Sequence, residues 1–244
     1  MMGTFRVGRN CAALLLAAVA GTAAAEDYVN TSAFGISAKE GSWFHNFSLV
    51  SHSPFETRLA LTEMDRSWRD RSYMGQFELL ETFYYAFNVS VNPNYRITGF
   101  EFGSTASAQG TVDPNGYGKA EIGQFSTHLS AWQSSSPYWS GNTSDSVYDV
   151  TAPVAVSTGL DGLMIGGQFE LSAIANWAGY LYSGWYQPYP DAEYYQELPS
   201  YLDRTQSGSY LTIYTVPIAA IPEPETFLLL LSGLAVIALR TRRA

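Results

Sequence analysis

Aromatic side chains are concentrated in one segment of the sequence, residues 177–195, together with acidic groups. Flat aromatic faces beside hydrogen-bonding groups are the features that bind sugar rings. The segment is therefore a candidate glycan-binding loop. The alternative is that the same rings cover a sheet edge or pack a long loop onto a core, because half-buried tyrosine is common in sheets. The candidate contact residues are Trp177, Tyr182, Trp185, Tyr186 and Tyr189.

No catalytic motif accompanies these aromatic residues. His45, His52 and His128 follow no zinc-ligand spacing. The chain also has neither a Gly-x-Ser-x-Gly nucleophile motif nor a Gly-rich phosphate loop. A carboxylate pair of the kind that hydrolyses glycosides is an alternative interpretation, because acidic residues are numerous. We therefore expect a protein without enzymatic activity and without a cofactor, with a secreted glycan-active hydrolase as an alternative.

Two groups of acidic residues have simple structural interpretations. Asp113, Asn115 and Glu121 surround a turn sequence and form a weak calcium candidate, but they lack the EF-hand register. The alternative is a plain Asx-type turn. The carboxylates within residues 63–70 are interleaved with arginines, which predicts a solvated ion-pair surface.

The clearest element that could position such side chains is a strand at residues 82–91. Its odd-numbered residues are apolar or aromatic and its even-numbered residues are mostly polar, which is the period of a half-buried strand. A turn at 92–94 leads into a second strand, in which Ile97 and Phe100 fall on opposite parities. This change of parity predicts a β-bulge at Gly99.

Further strands are predicted at 147–157, 163–175 and 209–218, and Asp113-Pro114-Asn115-Gly116 predicts a second hairpin. Residues 55–71 are predicted to form a strand followed by a loop, and a helix with Leu61, Met64 and Trp68 on one face is the alternative. Two segments, 133–146 and 183–204, are predicted to be long loops. Strands at this spacing indicate an all-β fold, an antiparallel β-sandwich of jelly-roll-like form that occupies residues 26–220.

The N-terminal 25 residues have the pattern of a secretory signal peptide. Arg6 and Arg9 precede the apolar run 11–21, and small residues follow, so we expect cleavage after Ala25 by signal peptidase. Cys11 is the only cysteine of the chain and lies inside that apolar run. The mature protein should therefore contain no disulfide bond and no thiolate metal site.

The mature body is strongly acidic. The full chain has a net charge of −9, with 13 basic and 22 acidic residues. Five of the basic and two of the acidic residues lie in the two ends, which leaves 8 basic and 20 acidic residues and a net charge of −12. Such a surface should repel nucleic acid, so we expect no nucleic-acid partner.

The C-terminal tail, residues 221–244, combines three features. Pro222, Glu223 and Pro224 precede an apolar run of 13 residues, Phe227–Leu239, which predicts a short transmembrane helix. A helix of that length spans about 20 Å, less than the ~30 Å hydrocarbon core. The run ends at arginines that should remain in the cytoplasm, namely Arg240, Arg242 and Arg243. An ordinary tail anchor is the alternative.

This order of features resembles the PEP-CTERM sorting signal. The resemblance is confined to the tail and implies export in a Gram-negative bacterium that makes exopolysaccharide. It also implies that Pro222, Glu223 and Pro224 are recognised by an exosortase, which removes the tail after a transient membrane insertion. The resemblance implies nothing about the fold of residues 26–220.

These features lead to three hypotheses for function. The first is an exported, non-enzymatic protein of the cell surface or exopolysaccharide matrix, with a structural or adhesive role in biofilm or floc. The second is a carbohydrate-binding module that binds exopolysaccharide through residues 177–195. The third is the secreted glycan-active hydrolase.

Overall fold

The computed structural model describes residues 27–72, 76–112, 118–133, 140–148, 150–186, 190 and 196–218. In this part of the chain most residues belong to antiparallel strands, and one 3-10 turn, Thr62–Met64, interrupts them. The strands are β1 (Tyr28–Asn30), β2 (Phe34–Ala38), β3 (Ser48–His52), β4 (Glu56–Ala60), β5 (Arg66–Arg71), β6 (Gln76–Val91), β7 (Tyr95–Thr111), β8 (Lys119–Trp132), β9 (Ser140–Tyr148), β10 (Val154–Ile165), β11 (Gly167–Tyr182), β12 (Gly184–Tyr186), β13 (Gln196–Leu198) and β14 (Tyr201–Pro217).

Two antiparallel sheets pack face to face as a sandwich. The first sheet has the order β1-β2-β6-β11-β8-β9. The second has the order β10-β7-β14-β4-β3, with β5 also paired to β14, and β12 and β13 form a separate two-stranded ladder. The all-β antiparallel sandwich expected from the sequence is therefore confirmed. The predicted signal peptide (1–25) and short C-terminal transmembrane helix (221–244) lie outside the described residues.

Alternation of apolar and polar residues explains why the long strands form the two walls of one core. On β6 the odd-numbered residues from Phe83 to Val91 are buried, as predicted for residues 82–91. Aromatic rings close the space between the sheets. Phe47 meets Phe87 edge-on with 5.4 Å between ring centroids, and Phe100 lies 5.8 Å from Phe169. The buried apolar side chains form one continuous cluster.

The predicted bulge on β7 is confirmed. Opposite β14, Gly99 pairs with Tyr214 whereas Ile97 pairs with Thr215, so Thr98 is the additional residue. This extra residue reverses the parity of the strand, and Ile97, Phe100 and Phe102 are all fully buried as a result.

The hairpin predicted at 113–116 is wrong. β7 belongs to the second sheet and β8 to the first, so the connection between them crosses the sandwich instead of joining paired neighbours. The turn at 92–94 joins β6 to β7 in the same way. The physical reason is that each of these strands has an apolar face, and placing consecutive strands in opposite sheets buries those faces against each other. Residues 113–117 themselves lie outside the described part of the chain.

Residues 55–71 form more regular structure than the strand and loop that the sequence predicts. β4 and β5 both pair with β14, and the 3-10 turn lies between them. The turn is held in place because the Leu61 N–H donates to the carbonyl of Ser209 (2.9 Å) and the Ser209 N–H donates to the Asp65 carboxylate (3.0 Å). Opposite the turn, the pairing of β14 with β7 shifts register between Ser207 and Tyr210, and Gly208 between them has a φ of 63° that suits glycine.

Both predicted long loops are partly strand. β9 begins at Ser140, inside the predicted loop 133–146, and β12, β13 and the first residues of β14 occupy much of 183–204. Serine, threonine and tyrosine in these segments reduced the apolar alternation that identifies a strand. Among the described residues, no helix has the length and apolar character needed to cross a membrane.

Candidate functional site

The outer face of the first sheet is rich in short polar side chains. On each of its long strands the inward residues fill the core, so the alternate residues point to solvent. We call this surface the polar face. Its outward residues on the four long strands include Thr82, Tyr84, Asn88, Ser90, Gln124, Ser126, His128, Ser130, Trp132, Ser144, Ser146, Tyr148, Gln168, Glu170, Ser172 and Asn176.

Strand register places five outward side chains, two of them on the short strands β1 and β2, in one line across the sheet. Tyr28 on β1 pairs with Ser37 on β2, Ser37 pairs with Asn88 on β6, and Asn88 pairs with Glu170 on β11. Glu170 in turn pairs with Trp132 on β8. We call these five residues the central row. An aromatic residue stands at each end of the row and polar residues lie between them.

The two aromatic rings border an open groove. Tyr28 is 50% exposed and Trp132 is 48% exposed, so each keeps a large ring surface available to a ligand. Gly35 on β2 leaves room for the ring of Tyr28, because a Cβ atom there would lie 2.9 Å from the tyrosine hydroxyl oxygen. The groove between the rings is lined by residues of five strands.

The floor of the groove offers neutral hydrogen-bonding groups. Ser37, Asn88, Ser90 and Gln168 line it, and the structure shows no hydrogen bond from their side chains to any other described residue. Glu170 accepts a hydrogen bond from the Lys39 ammonium at 2.5 Å, so its charge is balanced by a neighbouring cation. A polar floor with free donors and acceptors between two rings is an arrangement that can bind sugar hydroxyls and stack on sugar faces.

Trp177, the first of the aromatic residues predicted to bind glycan, lies in the core instead. It is 2% exposed, its indole N–H donates to the Gln206 side-chain oxygen (3.0 Å), and its ring packs on Phe125 at 4.8 Å. The reason is that Trp177 is an inward residue of β11 and does not belong to a loop. For Trp177 the alternative interpretation of the sequence, in which the ring packs onto a core, is therefore the correct one.

The other predicted aromatic residues do not meet in the groove as far as the structure describes them. Tyr182 is a half-buried outward residue at the end of β11, twelve residues from Glu170, which is about 40 Å along a strand. Trp185 and Tyr186 lie on β12, and their side chains fall outside the described part of the structure. Tyr189 also lies outside the described residues.

The calcium candidate finds no support among its described members. Asp113 and Asn115 lie outside the described residues, and the Glu121 carboxylate forms an ion pair with Lys119. Among the described residues there is no group of three or more histidine, cysteine, aspartate or glutamate side chains that could hold a metal ion.

The acidic residues near 63–70 are more ordered than a solvated surface. Asp70 receives a hydrogen bond from the buried guanidinium of Arg204 (2.7 Å), and the same guanidinium donates to Glu81 (2.8 Å). Glu63 accepts hydrogen bonds from the backbone N–H groups of His45 and Asn46 at 2.8 and 2.9 Å. Burial raises the pKa of Glu63, but these hydrogen bonds outweigh it and hold the pKa below its ordinary value.

Sequence reasoning missed Tyr28 and Trp132 because each is isolated in the chain. A signal for Trp132 does exist. It continues the outward alternation of Gln124, Ser126, His128 and Ser130, so the pattern places it on the solvent side of the strand. No comparable signal places Tyr28 opposite Trp132, since strand register alone joins them.

Known proteins resemble this chain in two ways, through a family model and through a solved structure. No curated protein matches the chain. A solved structure, the carbohydrate-binding module TmCBM61 in complex with β-1,4-galactotriose, is similar over 75% of this chain and 88% of that chain, with 7% sequence identity and a TM-score of 0.21. At that TM-score no residue correspondence transfers to this chain.

The family model that matches is the PEP-CTERM protein-sorting motif, and it matches residues 220–243. These residues include the Pro-Glu-Pro step, the apolar run and the arginines that carried the resemblance in the sequence. The match leaves the sandwich outside the motif. The chain therefore carries a PEP-CTERM sorting tail. This tail marks it as an exported surface protein that an exosortase processes.

Proposed function

We propose that the mature sandwich is a non-enzymatic adhesive protein that binds polysaccharide at the cell surface or in the exopolysaccharide matrix of a Gram-negative bacterium. The observation that carries this proposal is the central row, in which Tyr28 and Trp132 border a groove with a polar floor. The sorting tail supports the location, because it directs the chain to the outside of the cell. Biofilm or floc cohesion would follow from binding polysaccharide there.

This proposal keeps the carbohydrate-binding hypothesis but moves its site. Trp177, the first residue of the segment 177–195, is buried in the core. The polar face of the first sheet instead presents two half-exposed rings with hydrogen-bonding side chains between them. Ring stacking and hydroxyl recognition need both kinds of group at one place. A dedicated carbohydrate-binding module and a matrix adhesin would use the same groove and differ in what else the protein attaches to.

The groove offers little support for the hydrolase alternative. Glycoside hydrolysis uses two carboxyl groups on either side of the scissile bond. Of the described residues that line the groove, Glu170 is the only carboxylate, and it is paired with Lys39. We therefore propose binding without cleavage. Release of reducing ends from matrix polysaccharide by the purified protein, abolished in a Glu170→Gln variant, would contradict this.

The proposal is tested by polysaccharide binding of the mature body and its groove variants. We expect Tyr28→Ala and Trp132→Ala each to weaken binding at least about fivefold, from roughly 1 kcal/mol of lost ring contact. Affinity electrophoresis in gels that contain extracted matrix polysaccharide measures this loss. Tyr148→Ala is the matched control, because Tyr148 is a 71% exposed aromatic residue of the same face outside the groove lining. Equal loss in the control, or no binding by the wild type, would contradict the proposal.

A further inference from the structure

We propose that the groove takes an extended, uncharged polysaccharide chain that runs across the strands and contacts the protein through about three to four consecutive sugar rings. The inference rests on the proposed function and specifies its ligand. It follows from three properties of the central row: the distance between its aromatic ends, the direction in which its polar groups are arrayed, and its charge.

The distance between the two aromatic residues sets the length of the ligand. Tyr28 lies on β1 and Trp132 on β8, and three strands stand between them in the sheet. Four interstrand steps of about 4.8 Å separate their backbones by roughly 19 Å. A sugar unit in an extended chain is about as long as one interstrand step. The Tyr28 ring extends over Gly35 of β2, so the two rings are about one interstrand step closer than the backbones, and a ligand that stacks on both is an oligosaccharide of about three to four units.

The polar floor sets the direction of the ligand. Asn88 and Glu170 lie in the central row, and the next row on the same face contains Ser90 paired with Gln168. The two rows run side by side across the strands between the aromatic ends, and all four of these side chains line the groove. A sugar chain that lies across the strands contacts hydrogen-bonding groups at successive sugar rings. A sugar chain that lies along one strand would contact only one of the two aromatic residues.

The charges of the groove select an uncharged chain. Glu170 and Lys39 neutralise each other at 2.5 Å, and the other floor side chains named above are neutral. The mature body as a whole is acidic, with 20 acidic and 8 basic residues outside the two ends. A polyuronate would be repelled by this field and would find no unpaired cation among the described groove residues. A neutral glucan, galactan or mannan avoids both penalties.

Titration with oligosaccharides of increasing length tests the inference. The probes are gluco-, galacto- and manno-oligosaccharides of two to six units, with binding followed by calorimetry. For the sugar that binds, we expect the affinity to rise at least tenfold from two to four units and then to change by less than twofold to six units. Oligogalacturonates of the same lengths should bind at least tenfold more weakly.

The variant Tyr28→Ala separates this inference from the proposed function. It should abolish the gain between two and four units, and Tyr28→Phe, which keeps the ring, should restore the gain. Circular dichroism melting confirms that each variant is folded. Binding that is already maximal at two units, or equal binding of oligogalacturonate, would overturn the inference and leave the proposed function standing. Failure of every neutral oligosaccharide and polysaccharide to bind would overturn both.

Discussion

Inside the sandwich, one buried guanidinium joins three strands. Arg204 of β14 is 4% exposed, donates to Asp70 of β5 and Glu81 of β6, and lies 4.6 Å from the ring centroid of Trp68. Asp70 belongs to the second sheet and Glu81 to the first, so the side chain ties the two sheets together. The inward placement of Arg204 leaves its charge dependent on these partners, because a buried charge without them is strongly destabilising.

Replacement of Arg204 should therefore be severe. We expect Arg204→Ala to lower the free energy of unfolding by about 3 kcal/mol, since it leaves Asp70 partly buried without its cation. Urea denaturation of the mature body measures the change. The control is Arg69→Ala, which breaks an exposed bidentate pair with Asp203 and should change stability far less. Similar losses in the two variants would show that burial does not decide the effect.

A tyrosine pair on the outer side of the second sheet predicts a loss of stability in alkali. The Tyr210 and Tyr214 hydroxyls both donate to Glu101, at 2.6 and 3.0 Å. Burial, then the hydrogen bond to Glu101 and its charge, raise the pKa of Tyr214 from 10 to about 12. A raised pKa means that the folded state holds the proton more tightly, so the stabilisation is complete below pH 10 and is lost between pH 10 and about 12.

The Tyr214→Phe variant tests this alkaline transition. Without the ionisable hydroxyl, the free energy of unfolding should fall less steeply between pH 10 and 12 than in the wild type. Urea midpoints measured at half-unit pH intervals give the two slopes. Parallel slopes would mean that Tyr214 does not contribute to the transition.

At the scale of the elements, the bulge on β7 provides a sharp test of packing. A Cβ atom on Gly99 would lie 2.7 Å from the Asp161 carboxylate and 2.9 Å from the Leu160 carbonyl oxygen, so backbone would have to move. We expect Gly99→Ala to destabilise the fold by about 1–3 kcal/mol. On the paired strand, a Cβ atom on Gly159 meets nothing nearer than 3.9 Å, so Gly159→Ala should be close to neutral. Thermal unfolding compares the two, and equal melting temperatures would contradict the prediction.

The same strands show what alternation along a sequence can predict. The apolar face of residues 82–91 and the change of parity around Gly99 could both be predicted from the sequence, because each is a local consequence of which side chains are buried. The assignment of strands to the two sheets could not be predicted from the sequence. Apolar alternation on β7 and β8 is the same whether the two strands pair in one sheet or face each other across the core, so the turn at 113–116 was misinterpreted as a hairpin.

At the scale of the whole molecule, the candidate site was the least predictable part. Tyr28 and Trp132 are 104 positions apart in the numbering and are aligned through the register of four successive strand pairs. No local pattern encodes that register. The sorting tail is the opposite case, because its three features are contiguous and its meaning does not depend on the fold.

Polysaccharide binding in the groove is tested most directly by a map of where polysaccharide contacts the mature body. Backbone amide NMR spectra of isotope-labelled protein, titrated with neutral oligosaccharides from the matrix, provide it. We expect shift changes concentrated at Tyr28, Ser37, Asn88, Glu170 and Trp132. Changes concentrated instead at residues 182–195, or no changes at saturating ligand, would contradict binding in the groove.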